Sequence, residues 1–237
     1  MKKILIMLYT ALIIAVLSPS EALSLGGDVE IIDTPTANSV GFGSYDLSFR
    51  FYDQGSVMSR LLYGIIMKDL TLGLSFDIEN VVGSGDITAH RPYLYIKLPL
   101  YTEDDIWPSV SVGFDEQGLG RYDADSEAYQ FNPMGFFLVM TKTGLLPGFN
   151  IGGGINADYS ITGSEEEHLK GFVNANYLLG PEFMLLAESR NIAERGYING
   201  GARYMLTPEL HFEFSALNIG GRGDIERIIR ITYSGQF

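Results

Sequence analysis

The sequence predicts an all-β protein, a single transmembrane antiparallel β-barrel of about twelve strands that follows a cleaved signal peptide. Three observations predict this class. Apolar and polar residues alternate with a period of two along nearly the whole chain. The connections between these runs are short and long in turn, and the last run is amphipathic and closes on Phe237.

The elements follow in chain order. Met1, Lys2 and Lys3 form a short basic start, residues 4–17 are almost wholly apolar, and small residues surround Ala22, where cleavage is expected. An uncleaved anchor is the alternative, but this apolar run is short for a bilayer span, which needs about 20 residues. Residues 1–22 are therefore assigned to a signal peptide, 23–43 to an N-terminal segment that is periplasmic or packed in the lumen, and 44–237 to the barrel. In residues 45–52, Leu47, Phe49 and Phe51 share one face and Asp46, Ser48 and Arg50 the other. Comparable runs cover 57–67, 70–78, 93–100, 109–115, 134–142, 149–159, 169–179, 183–192, 197–206, 210–216 and 225–237.

Compact connections lie at 68–69, 102–107, 143–148, 180–182 and 207–209, the last two built on Pro181 and Pro208. Longer polar ones lie at 80–91, 116–133 and 160–168. The connections after Ile192 and Asn218 are shorter, and 53–56 is the shortest of this set. With the mature N-terminus in the periplasm, the compact turns fall on the periplasmic side and the longer loops outside, as in an outer-membrane barrel. In the last run Ile229, Ile231, Tyr233 and Phe237 share a face, which resembles the terminal signal read by the barrel-insertion machinery. Tyr45, Tyr95, Trp107, Tyr177, Tyr204 and Tyr233 stand where an aromatic girdle is expected, Tyr95 being open to an inward alternative. A secreted β-sandwich or lipocalin-type barrel would also alternate, but it accounts for neither the turn asymmetry nor the terminal Phe.

Composition narrows the function. The 237 residues contain 28 Gly, 14 Tyr, 14 Phe and no Cys, with 29 acids against 16 bases for a net charge of −13. Lack of Cys excludes disulfides, thiolate metal sites, a Cys nucleophile and a lipoprotein anchor. The negative balance opposes nucleic-acid binding, because phosphates would be repelled. Acids such as Glu116, Asp123, Asp125 and Glu165 to Glu167 fall in the long loops and read as a solvated outer rim.

Alternation assigns Asp46, Arg50, Asp77, Glu79, Lys97, Asp115, Asp158, Glu188, Arg190, Arg203, Glu213 and Arg230 to the lumen, with Asn150, Asn156, Asn174, Asn176 and Asn199 beside them. The set mixes signs, which suits ion pairs closing a narrow lumen as well as a path for a small solute. Residues 57–67 and 134–142 are apolar on both faces. That pattern fits packing against the N-terminal segment, and an apolar plug, a lipid chain or a second protein is the alternative. No His-X-Ser pair occurs among His90, His168 and His211, the Glu165 to Glu167 run does not make a cation cage, and no catalytic, cofactor or metal site is assigned.

Residues 26–37, with Gly26, Gly27, Ile31, Ile32, Thr34, Pro35, Thr36 and Ala37, resemble the opening of the YjbH-type outer-membrane proteins, and Glu226 to Arg230 resembles the end of such a barrel. The resemblance implies an exopolysaccharide-associated role in a reduced, single-barrel version. The reading is thus an integral outer-membrane barrel with a structural or surface role, assisting polysaccharide export. A narrow small-solute channel or a barrel lipase or protease are the alternatives. Expected partners are outer-membrane lipid, lipopolysaccharide, the insertion machinery and a polysaccharide or small solute.

Overall fold

Alternating runs of this kind become strands in a membrane because a closed sheet pairs every backbone group, whereas an open edge would leave N–H and C=O groups bare in lipid. The computed structural model describes residues 28–65, 70–123, 125–126, 128–157, 169–192, 196–221 and 224–237. The proposed signal peptide, Asp158, His168, Glu165 to Glu167 and the 68–69 turn lie outside the described residues.

Twelve strands build the wall: β1 (Ser44–Tyr52), β2 (Ser56–Ile65), β3 (Leu70–Glu79), β4 (Tyr93–Tyr101), β5 (Ser109–Asp115) and β6 (Gly135–Leu146), then β7 (Phe149–Ala157), β8 (Leu169–Leu178), β9 (Phe183–Arg190), β10 (Tyr197–Met205), β11 (Leu210–Ile219) and β12 (Glu226–Gln236). Each pairs antiparallel with its sequence neighbours, and β12 pairs with β1, so the ring is closed. At that seam Tyr233 lies opposite Leu47, and Arg230 lies opposite Arg50.

The outward positions are apolar. Leu61, Leu74, Leu94, Phe136, Ile155, Val173, Leu185, Phe214 and Ile229 all project from the wall and are exposed. Aromatic side chains gather at the compact-turn end, where the Phe237 ring lies 4.8 Å from that of Tyr45 and 5.7 Å from that of Tyr63. Exposed Trp107, Tyr177 and Tyr204 continue this belt. Tyr95 takes the inward alternative, 2% exposed, because it shares parity with inward Tyr93 and Lys97. No helix among the described residues is long and apolar enough to cross a membrane. A closed twelve-strand barrel, apolar outside and polar within, is a protein of the bacterial outer membrane.

Three expectations change. The run expected at 210–216 continues to Ile219, and the one expected at 134–142 continues to Leu146, which leaves a tighter turn than 143–148. The 116–133 loop is more than a solvated rim. It folds as a hairpin, residues 119–123 against 128–131, whose Leu119, Tyr129 and Phe131 are buried. The physical reason is apolar demand: the mouth of the barrel presents side chains that water would otherwise meet.

Residues 28–41 enter the lumen and occupy much of it. Glu30–Ile31 pairs with Thr34–Pro35 in a small hairpin that enters from the compact-turn end, turns at Ile32 and Asp33, and returns. Phe42 then bridges to Gly64 in parallel, and Gly43, at φ +74°, turns the chain out of the lumen into β1.

Candidate functional site

Within the hairpin, alternation sorts side chains between two halves of the lumen. Asp28 and Glu30 point one way, Val29 and Ile31 the other. Val29, with Ala37 and Val40 from the returning arm, packs against Leu62, Tyr95, Met134, Phe137, Val139 and Phe172 of the wall. These contacts use the inward apolar residues of β2 and β6. Ile31 and Ile32 at the tip join Tyr52, Met58, Leu186, Leu217 and Ile228, beneath Leu119 and Phe131 of the outer hairpin. Two hairpins, one from each end, thus meet in an apolar seal.

The charged half is built from consecutive strands. Cross-strand pairing sets Arg203 on β10 opposite Glu213 on β11, Glu213 opposite Arg230 on β12, and Arg230 opposite Arg50 on β1. Three guanidiniums in this row share one wall carboxylate, and like charges directly opposite are unfavourable. The hairpin supplies the missing anions. Glu30 takes ion pairs from Arg50 at 2.5 Å, Arg60 at 2.9 Å and Arg230 at 3.0 Å. Asp33 pairs with Arg50 at 3.1 Å and also with Arg190. Asp28 pairs with Arg203, whose other carboxylate partner is Glu213 at 2.8 Å. Lys97, fully buried, donates to the hairpin carbonyls of Val29 at 3.0 Å and Thr36 at 3.2 Å. Arg230 donates to the Ile32 carbonyl.

The wall acids are served differently. Glu188 accepts from the Asp33 N–H at 3.0 Å, the Thr34 N–H at 2.8 Å, the Thr34 hydroxyl at 2.8 Å and Asn199 at 2.6 Å. Asp115 holds Arg60 at 3.0 Å. Asp77 accepts from the Tyr52 hydroxyl near the outer mouth. Glu79, at the rim, accepts from the Tyr122 N–H at 3.2 Å and lies 3.7 Å from His90. Asn174 donates to Thr34 and to the Pro35 carbonyl, while Asn176 donates to Asp28 at 3.1 Å and accepts from Asn150 at 2.8 Å. Asn156 donates to the Met134 carbonyl at 2.9 Å.

Ten of the twelve wall residues assigned to the lumen from sequence are placed by these contacts, Asp46 lines a cavity at the compact-turn end, and Asp158 lies outside the described residues. Arg60 and the hairpin acids Asp28, Glu30 and Asp33 were missing from the sequence reading. Arg60 shares parity with Met58 and Leu62 on a strand that is apolar on both faces, and that parity was its only signal. His211 faces the lumen, but its Nε2 lies 3.4 Å from the Pro208 carbonyl and it does not pair with Glu213, to which Ser215 donates at 2.9 Å.

Beneath the hairpin, at the compact-turn end, a cavity of about 420 Å³ reaches inward to Glu30, Arg203 and Arg230. Asp46, His211 and the amides of Asn150 and Asn176 line it. On the outer side, Glu116 accepts from Arg91 at 2.7 Å and from the Leu94 N–H at 3.2 Å. The Arg91 hydrogen bond outweighs partial desolvation and holds the Glu116 carboxyl below its ordinary value.

No family model matches the chain, and no curated protein matches it. Among solved structures the chain is similar to a KdgM porin, at 11% identity over 82% of this chain and 99% of that one, with a TM-score of 0.49. It is also similar to a NanC porin, at 12% identity over 81% of this chain and 99% of that one, TM-score 0.44. A third similar structure is the Acinetobacter baumannii outer membrane protein Omp33, at 12% identity over 82% and 97%, TM-score 0.38. These comparisons bring no support for the YjbH-type resemblance.

Proposed function

We propose that the protein is a narrow outer-membrane channel for small solutes, closed by its own N-terminal hairpin. The observation that carries this reading is the way the wall is neutralised. A purely structural barrel can fill its lumen with wall ion pairs alone. Here six inward wall cations, Arg50, Arg60, Lys97, Arg190, Arg203 and Arg230, contact residues 28–36, which are not part of the wall. A wall that needs a tethered segment to be neutral is a polar passage with an obstruction in it.

Planar-bilayer conductance tests the reading. The intact chain is expected to be closed with rare openings, and a chain lacking residues 28–41 to conduct continuously. Joining Ala37→Cys to Ser111→Cys, whose hydroxyl donates to the Ala37 carbonyl at 2.6 Å, should abolish openings until the link is reduced. No conductance above background from the truncated, heat-modifiable barrel would return the protein to a structural or surface role.

A further inference from the structure

We infer that the arginine-lined half of the lumen is a binding site for small polycarboxylate anions, which the hairpin acids Asp28, Glu30 and Asp33 occupy as a tethered stand-in. This rests on the channel reading for passage, but not for binding.

Four observations converge. The first is cationic surplus: in the middle of the lumen the wall brings Asp115 and Glu213 to six of its cations, Arg50, Arg60, Lys97, Arg190, Arg203 and Arg230, and the hairpin brings three more carboxylates. The further inward acids are held elsewhere: Asp46 on the cavity, Asp77 by Tyr52, Glu79 at the rim by Tyr122 and His90, and Glu188 by Asp33, Thr34 and Asn199. The second is geometry: Arg50 and Arg230 are direct cross-strand partners, an arrangement that requires an anion between them, and Glu30 is that anion. The third is spare donor capacity. The Nε atoms of Arg50, Arg60 and Arg230 are buried and have no hydrogen-bond partner among the described residues. A ligand richer in carboxylate oxygens would therefore satisfy donors that the hairpin leaves unused. The fourth is access: the cavity open at the compact-turn end is lined by Arg203 and Arg230, so an entering anion meets both before it reaches Arg50.

The hairpin tip also favours exchange. Ile32, a β-branched residue, is held at φ +47°, a conformation that costs such a residue energy. The seal therefore contains a strained turn that leaving the lumen relieves. The site selects by chemistry. Guanidinium forks recognise planar carboxylates in pairs, and the row Arg203–Glu213–Arg230–Arg50 spaces them along the wall. Anion-selective pores use clustered Arg and Lys in this way.

Two measurements test the proposal. Because the chain has no Cys, Ile32→Cys gives a single thiol at the buried tip. Citrate applied to the refolded, heat-modifiable protein should accelerate its labelling by a soluble maleimide severalfold over sodium chloride of equal ionic strength, and spermidine should not. Equal rates in citrate and chloride would reduce the effect to screening and overturn the site, whatever the conductance. Second, Asp28→Asn, Glu30→Gln and Asp33→Asn together keep the hairpin's volume and remove its charge. This variant should open more often than the parent and pass chloride severalfold better than potassium, read from the reversal potential in a salt gradient. A cation-preferring or unselective current overturns the anion site and leaves the channel. Absence of current, here and in the truncated chain, overturns the channel and leaves the labelling to decide the site.

Discussion

Glu30 holds three guanidiniums at once, so its removal differs from the loss of an ordinary surface pair. Exposed ion pairs contribute little, because water screens them. Here Arg50 and Arg60 are almost wholly buried, and deleting one partner of such a pair typically costs about 3–5 kcal/mol, since the other charge is left without compensation. Glu30→Gln should therefore lower the temperature at which the barrel unfolds on heated gels. Adding Arg50→Met should recover part of that loss, because it removes a stranded charge along with its partner. Full additivity of the two changes would show that the pair is not coupled. Gly64 makes a second prediction. A Cβ there would lie 2.0 Å from the Gly41 carbonyl oxygen and 2.4 Å from that of Val40, both backbone atoms that cannot swing aside. Gly64→Ala should lift the base of the hairpin and raise channel opening while leaving the wall folded. Unchanged conductance would show that the hairpin is not held at its base.

Among elements, the two hairpins differ in how much of them alternation discloses. Most strands of the wall are legible because they repeat apolar and polar residues over seven or more positions, and the observed limits depart from expectation chiefly at β6 and β11. The lumen hairpin offers only two residues per arm, too few for a period. Its ion pairs also join distant parts of the chain, Glu30 with Arg230 across 200 residues and Asp33 with Arg190 across 157. No local pattern encodes such pairings. The outer hairpin hides for another reason: its acids look solvated, while Leu119 and Phe131 are drawn down by the apolar tip below. Its foot is tied by Arg91 and Glu116. Because the Glu116 carboxyl is held below its ordinary 4.5, the pair's contribution is fully present above that pH and is lost only as pH falls through the lowered value. Hydrogen-exchange protection of residues 119–131 should stay constant down to about pH 4.5 and decline below it. Decline beginning nearer neutrality would place the control elsewhere.

For the molecule as a whole, closure and the apolar exterior put the chain in the outer membrane, where it should migrate differently on gels with and without boiling. The last strand makes a related prediction for assembly. Phe237 donates its N–H to the Gly43 carbonyl at 2.9 Å and packs on Tyr45, so Phe237→Ala should reduce the amount recovered in the outer membrane. An unchanged yield would show that insertion does not depend on this ring. Such a barrel finishes folding when its first strand meets its last, and here that seam sets Arg50 against Arg230. Two guanidiniums approaching across a tightening seam repel one another unless something negative is already between them. Glu30 lies 14 residues before the first strand and is made before any of the wall. In the closed ring that negative charge is Glu30, whose carboxylate lies 2.5 Å from Arg50 and 3.0 Å from Arg230.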